Sequence, residues 1–461
     1  MTARLSRFDT VVLVVGAIIG WGSFTLPGTR FLSGPGVIDT AIGFAIGAVA
    51  VVFIQRGYHV MLERHVDDGG ESAYAARFLG RGHGFVVGWA LVLTYTSMVG
   101  LNGTAFVLVL KRIFGDGISQ GYLYTVEGFG VYATDIAIAS ATMILFTWLN
   151  LRGLKVSART ESVLVLGLLI NVTILFALML VLGDVDQFVG AYVTGWTVEW
   201  GRVASVVAIV PFLFVGFDVI PQVAKQLSYP PRRAAKLAVV GIVIGAVLYI
   251  GMNTLTALAF TPEQAAAEEW ATGAAVAQYV GPIGFVLLVG ALVGAVLGGI
   301  SAFTLAASSL ISSLARNRFL PIGLTHRSGK HVLDRAVLAV LGVSLLAPWA
   351  GREVVNYIVD MSSMLAAVAY AYTCFISMRI GRAGAERNLS LVGLAFSVGF
   401  IALLAWPGSP GQLSVPAMVM LGVWVIIGTI VYLRSRNHPD APDVGEAQWE
   451  APEPDRVAVP A

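Results

Sequence analysis

Charge is what this sequence has least of. Aspartate, glutamate, lysine and arginine make up 12% of its 461 residues, about half the ~25% of an ordinary soluble domain. Hydrophobic residues reach 57% and mean hydropathy is +0.81. This excludes a soluble globular domain and predicts an all-α polytopic membrane protein whose largest partner is the lipid bilayer. A net charge of +2 offers no basic surface for nucleic acid. The single cysteine, Cys374, excludes an internal disulfide. There are six histidines, most of them beside charged loop residues, with no His-Glu-x-x-His and no paired cysteines. Neither a metal site nor a cofactor is expected. A membrane enzyme would need His, Asp or Ser clustered near one face, and a channel would need repeated polar rings along a pore. The sequence shows neither. The opening Met1-Thr-Ala-Arg-Leu-Ser-Arg7 runs into an apolar segment with no small-residue cleavage site, so it reads as an uncleaved first span.

What is present is long apolar runs. A span takes about 20 residues, and twelve candidates lie near 9–32, 37–58, 84–114, 131–150, 159–182, 203–227, 235–260, 283–312, 333–350, 353–379, 389–407 and 415–433. They form one transporter-like domain, 1–434. The tail, 435–461, is rich in Pro, Asp and Glu and reads as a disordered cytoplasmic segment. With the N-terminus inside, 24 of the 29 lysines and arginines fall on inner segments. Only Arg30, Lys111, Arg112, Arg202 and Arg352 fall outside. That asymmetry predicts an inner (cytoplasmic) membrane protein with both termini cytoplasmic.

Two spans are interrupted. The first carries Gly16-Ala-Ile-Ile-Gly-Trp-Gly-Ser-Phe-Thr-Leu-Pro-Gly28. Four glycines and a proline oppose a continuous helix. Unwound backbone at membrane depth is tolerated only where protein or a wet cavity surrounds it. Gly16 and Gly28 read as packing glycines, and Gly20-Trp-Gly-Ser23 reads as the break. The helix N-terminus restarting there offers N–H groups to a carboxylate. The sixth span carries Pro211-Phe-Leu-Phe-Val-Gly-Phe-Asp-Val-Ile-Pro-Gln222, broken around Phe214, Gly216, Phe217 and Asp218. Breaks in spans one and six are the arrangement of two five-helix halves in inverted repeat (5+5), with substrate held between the breaks.

These segments resemble those of the amino acid–polyamine–organocation superfamily. Gly16 to Phe24 resembles its first-helix pattern G-x-I-I-G-x-G-x-F. Asp68-Gly-Gly-Glu-Ser-Ala-Tyr74 resembles its segment entering the third helix, and Asn150 to Arg159 its link into the fifth. Val215-Gly-Phe-Asp218 resembles its sixth-helix break, and Leu314-Ala-Arg-Asn-Arg-Phe-Leu-Pro321 its M-A-R-D-G-x-L-P. Four departures stand out. Trp21 replaces a small residue, and positions 163–172 hold no lysine. Ala224-Lys-Gln226 stands where an acidic pair is usual, and Val60 where a glutamate is common.

The resemblance implies a secondary transporter, a permease for amino acids or related organic amines working by alternating access, driven by protons or by exchange. A polyamine or ethanolamine-like amine is the alternative substrate; a membrane sensor or channel is the rival class. The substrate-binding candidates are Ile18, Ile19, Gly20, Trp21, Gly22 and Ser23 on the first break. On the sixth they are Phe214, Gly216, Phe217 and Asp218. Backbone N–H groups at Gly20–Ser23 would take a carboxylate; carbonyls at Ile18, Ile19 and Phe214–Gly216 would take an ammonium. Trp21 would shape or stack on the substrate.

The coupling or gating candidates are Asp218, Asp360 and Glu161. An acid at mid-membrane costs about 2.5–3.5 kcal/mol on insertion scales and marks a pathway or proton relay. Asp218 reads equally as a relay and as a cap on the restarted helix. Asp360 and Glu161 read more simply as solvated charges near the span ends. The topology has a direct check: a reporter fused after residue 122 should register on the outer side, and a cytoplasmic signal there would reverse the orientation.

Overall fold

A chain crossing lipid satisfies its backbone by winding into helices. The computed structural model describes residues 4–67, 69–126, 129–268, 270–329, 332–351 and 354–436, and the tail assigned to 435–461 lies almost wholly outside these. The first span is divided between α1 (Arg7–Ile18), α2 (Gly22–Leu26) and a π-helical turn over Pro27–Leu32. Next come α3 (Gly36–Arg64), the short α4 (Gly70–Leu79) and α5 (Arg81–Phe114). An antiparallel hairpin, β1 (Tyr122–Val126) and β2 (Phe129–Tyr132), joins α5 to α6 (Ala133–Leu151). Then follow α7 (Leu154–Leu182), the small α8 (Val185–Phe188), α9 (Trp200–Leu213) and α10 (Pro231–Ala257). Two short helices, α11 (Pro262–Ala267) and α12 (Ala271–Tyr279), lead into the long α13 (Gly281–Arg316). The chain ends with α14 (Asp334–Ser344), α15 (Val354–Ile380), α16 (Ala385–Ala405) and α17 (Val415–Ser435).

Among the described residues, 11 helices are long and apolar enough to cross a membrane. The remaining expected span, 333–350, is present as α14, 11 residues long, continued by a 3-10 turn at Ala347–Ala350. Proline explains the early stop. Pro348 has no N–H for the Ser344 carbonyl and its ring opposes that carbonyl. α14 nevertheless packs against α5, α6 and α13, and Ser344 Oγ donates to the Thr96 carbonyl at 3.0 Å.

Burial sorts centre from periphery. The first, third and sixth spans are 83% buried over their apolar windows and the last only 11%. The interrupted spans therefore sit inside the bundle, where their loose backbone groups find protein partners. Small residues permit the approach. α1 and α13 meet at Gly16 and Gly298, where a Cβ on Gly298 would stand 2.9 Å from Gly16 Cα. A capping box starts α1, with Ser6 N–H donating to Asp9 at 2.8 Å and Asp9 N–H to Ser6 Oγ at 3.2 Å. Just before it, Leu5 bridges to the chain after the sixth span. Leu5 N–H donates to the Gln226 carbonyl at 2.8 Å, and Ser228 N–H to that of Leu5 at 2.9 Å.

Gly216 is the tightest joint between the two interrupted spans. Its φ is 135°, and a Cβ there would lie 2.7 Å from Ala17 Cβ and 2.9 Å from Ile18 N. Gly216→Ala combines backbone strain of about 1–3 kcal/mol with overpacking of about 1–3 kcal/mol. It should lower the unfolding temperature of the purified protein markedly, whereas Gly251→Ala, with open space around it, should leave it almost unchanged.

Candidate functional site

The first break begins where α1 ends. Ile19 leaves helical geometry at φ −92° and ψ 75°, and α2 restarts at Gly22. Neutral groups hold this backbone. Asn102 of α5 accepts from Trp21 N–H at 3.3 Å and is itself fixed by donating Nδ2 to the Met98 carbonyl at 2.8 Å. The Tyr249 hydroxyl of α10 donates to the Ile18 carbonyl at 3.3 Å. Ser23 folds back, its Oγ donating to the Gly20 carbonyl at 2.9 Å. Asn102 and Tyr249 escaped the sequence reading. An amide in the third span is costly in lipid, and that cost was the available signal for Asn102.

The second break forms because Pro211 lies in the last turn of α9 and Gly216 takes a positive φ. Short 3-10 turns over Phe217–Val219 and Pro221–Gln226 follow. Phe214 packs into an aromatic group with Phe44 and Tyr249, both at 6.3 Å between ring centroids. Phe217 packs with Tyr58 and Tyr370, both at 5.2 Å. Asp218 is fully buried. It accepts from Gly216 N–H at 2.6 Å and from the Tyr95 hydroxyl at 3.0 Å. Its carboxyl thus caps backwards onto the break through Gly216 and is held from α5 by Tyr95. The structure brings Ile18 and Gly216 into contact, with Phe214 close by. Trp21, Gly22 and Ser23 stand one turn further along the first span.

A cavity of about 760 Å³ opens beyond the break on the side holding Lys111 and Arg30, and Trp21, Thr25, Thr29, Leu108, Lys111 and Asp135 are among its lining residues. Of the ten expected binding residues it reaches only Trp21. The cavity therefore meets the first break at Trp21. Lys111 and Asp135 pair at 3.0 Å in the cavity wall.

Two expectations need correcting. Asp360 is not a solvated charge: its side chain is 8% exposed and it pairs with Arg30 at 2.9 Å. The reason is that the π-helical turn of the first span brings Arg30 onto α15, a contact invisible to hydropathy. Glu161 is not solvated either. It is 6% exposed, because α1, α7 and α13 close together around it. Its Oε1 makes no hydrogen bond and would lie 3.3 Å from a Cβ on Gly16.

The Arg30–Asp360 pair joins the C-terminal half of the first span to α15, so breaking it should free that half. Cys374 is buried, which leaves a cysteine placed at Thr29 as the reporter. Thr29→Cys should react with a water-soluble thiol reagent several-fold faster when combined with Asp360→Asn. An equal rate would show that the pair restrains nothing.

The chain is 24% identical to the branched-chain amino acid permease of Lactococcus lactis over 94% of each chain. It is 23% identical to the methylthioribose transporter of Bacillus subtilis over 95% of this chain and 94% of that one. With the arginine/ornithine antiporter of Pseudomonas aeruginosa it shares 24% over 70% of this chain and 66% of the other. Residues 5–432 match the family described as amino acid permease. With helices long enough to cross a membrane many times over, and with the first and sixth spans both interrupted at its centre, the chain belongs to the amino acid permease family of the amino acid–polyamine–organocation superfamily.

Proposed function

We propose that this protein is a secondary transporter that carries an amino acid with an apolar side chain across the cytoplasmic membrane, with both termini inside. The observation that carries this reading is the first break itself. It meets the cavity at Trp21 and is held by neutral, exchangeable partners. A substrate carboxylate would take the N–H groups of the Gly20–Ser23 segment, replacing the Asn102 oxygen on Trp21. Its ammonium would take the carbonyls near Ile18, Ile19 and Phe214, replacing the Tyr249 hydroxyl. Preformed dipoles at a broken helix suit such a zwitterion.

The side chain would meet Trp21, Phe214, Phe44 and Tyr249. Asp218 is already engaged by Gly216 and Tyr95, which leaves it poorly placed to receive a cationic side chain. The branched-chain permease among the relatives supports this choice. Substrate entry requires Trp21 to swing aside, and alternating access between two inverted five-helix halves would then expose the break to each side in turn. A proton gradient or exchange of solutes would supply the driving force.

Liposomes containing the purified protein and preloaded with unlabelled leucine should take up labelled leucine by counterflow. Arginine-only flux would overturn the apolar assignment. Flux of spermidine, ethanolamine or methylthioribose without any amino acid flux would overturn the amino acid reading. In the same liposomes Gly22→Val should abolish counterflow without lowering thermal stability. A Cβ there already approaches Leu26 Cδ1 to 3.3 Å and faces the Tyr249 hydroxyl at 3.8 Å, so a branched side chain crowds the break beside the hydroxyl that the substrate ammonium would replace. Trp21→Ser, which removes the indole from the cavity floor, should shift the preference between leucine and a bulkier amino acid by about tenfold, the scale at which pocket shape discriminates.

A further inference from the structure

A second acid, which the transport scheme above leaves unused, lies beside the sixth-span break. Glu71 sits in the first turn of α4, the short helix between the second and third spans, and it is 1% exposed. Its Oε2 accepts from Gln222 Nε2 at 2.5 Å, and its Oε1 receives no hydrogen bond. Gln222 follows Asp218 on the same broken segment. That segment therefore carries one carboxyl directly and holds a second through an amide. Gly70 makes the contact possible. A Cβ on it would fall 2.7 Å from Gln222 Nε2, so the glycine ahead of Glu71 is what lets the amide reach the acid.

The surroundings of Glu71 contain acids and phenols. Asp218 acts on it from the broken segment. Tyr58 faces it from α3, Tyr95 from α5 and Tyr370 from α15, with Tyr74 on its own helix. Of the cations at this end, Lys225 lies 3.5 Å and Arg316 3.9 Å from Asp67, while Arg77 of α4 acts on His65, whose ring packs on Tyr74. Among the described residues no lysine, arginine or histidine pairs with Glu71. Burial first, and the nearby Asp218 second, push its carboxyl well above the usual carboxylate range. Two buried carboxyls in mutual reach with no cation between them cannot both ionise cheaply. Tyr58 lies within electrostatic reach of both, with Glu71 the stronger influence. Within 3.5 Å its hydroxyl makes no hydrogen bond, and the Glu71 carboxyl is the acceptor it comes nearest to engaging.

We infer that Glu71 and Asp218 share one exchangeable proton, relayed by the Tyr58 hydroxyl between the substrate break and the inner end of the protein. In the transfer, the Glu71 acid gives its proton to the Tyr58 oxygen while the Tyr58 hydroxyl proton passes to the Asp218 carboxylate. One acid and one carboxylate exchange identities, and no other reactant is consumed. The inference rests on the transport reading only where the proton is linked to substrate movement.

Two measurements on the full-length protein test it separately. Infrared spectroscopy of the purified protein without substrate should show a carboxylic acid carbonyl band at neutral pH that is lost in Glu71→Gln. In Asp218→Asn the Glu71 band should persist but titrate at lower pH, because the like charge has gone. An unchanged band in Glu71→Gln overturns the shared proton, whatever the substrate proves to be. In liposomes with a pH dye inside, Glu71→Gln should keep leucine counterflow and lose leucine-driven proton entry. Tyr58→Phe, which retains the ring packed on Phe217 and Tyr370, should slow proton entry at least tenfold with counterflow intact. Proton entry at the unmodified rate in Tyr58→Phe overturns the relay, and in Glu71→Gln it overturns the role of Glu71. Absence of leucine counterflow in the unmodified protein would instead overturn the amino acid reading and leave the infrared result to decide the shared proton.

Discussion

Everything at the centre of this molecule depends on one requirement. Backbone removed from a helix at membrane depth must find its hydrogen bonds in protein. The interrupted first and sixth spans meet it by leaning on each other and on their neighbours. Gly216 has no side chain, so the sixth span can lie against Ala17 and Ile18. That closeness keeps water and lipid out. Asn102, Tyr249, Tyr95 and the carboxyl of Asp218 then supply the polar contacts that a helix would have made internally. The partners are neutral or already shared, so a ligand with the same donors and acceptors can replace them at small net cost, since exchanging hydrogen bonds is nearly balanced while leaving one unmade is expensive.

The acids show a second use of the same economy of space. The lipid-facing helices, such as α16 and α17, carry their apolar side chains outward, and charge is kept to the interior or the ends. Inside, each acid has a different solution. Asp360 has a cation, Asp218 has donors from the backbone and a phenol, and Glu71 has an amide on one oxygen only. Glu161, wedged where α1, α7 and α13 converge, has no hydrogen bond on Oε1. The acids thus grade from fully compensated to partly compensated by their hydrogen-bond and ionic partners.

Sequence alone made much of this legible, for physical reasons that differ by element. The breaks could be read because glycine and proline act locally: Gly20, Gly22, Pro211 and Gly216 carry their meaning in their own backbone. Span number was readable to the extent that hydropathy decides it, and α14 deviates where a single proline, Pro348, shortens the helix. Partnerships were not legible. Arg30 and Asp360 are 330 positions apart, as the pair's own separation shows, and nothing in either neighbourhood announces the other. Glu71 lies in a segment singled out for its glycines, yet its burial follows from helices packed on it from elsewhere in the chain. Charge near a span end reads as solvated until the covering helices are known, and for that reason Glu161 and Asp360 were misplaced.

The short bridge at Leu5 has a mechanical meaning. Its two backbone hydrogen bonds join the lead-in of α1 to the chain leaving the sixth span, and Tyr229 adds a hydroxyl contact to Thr10 at 2.6 Å. The start of the first interrupted span and the end of the sixth are thereby yoked. A displacement of one is transmitted to the other through this bridge, so at this end the two interrupted spans form one mechanical unit. Two spans joined in this way at one end hold that end together by connectivity as well as by tight packing.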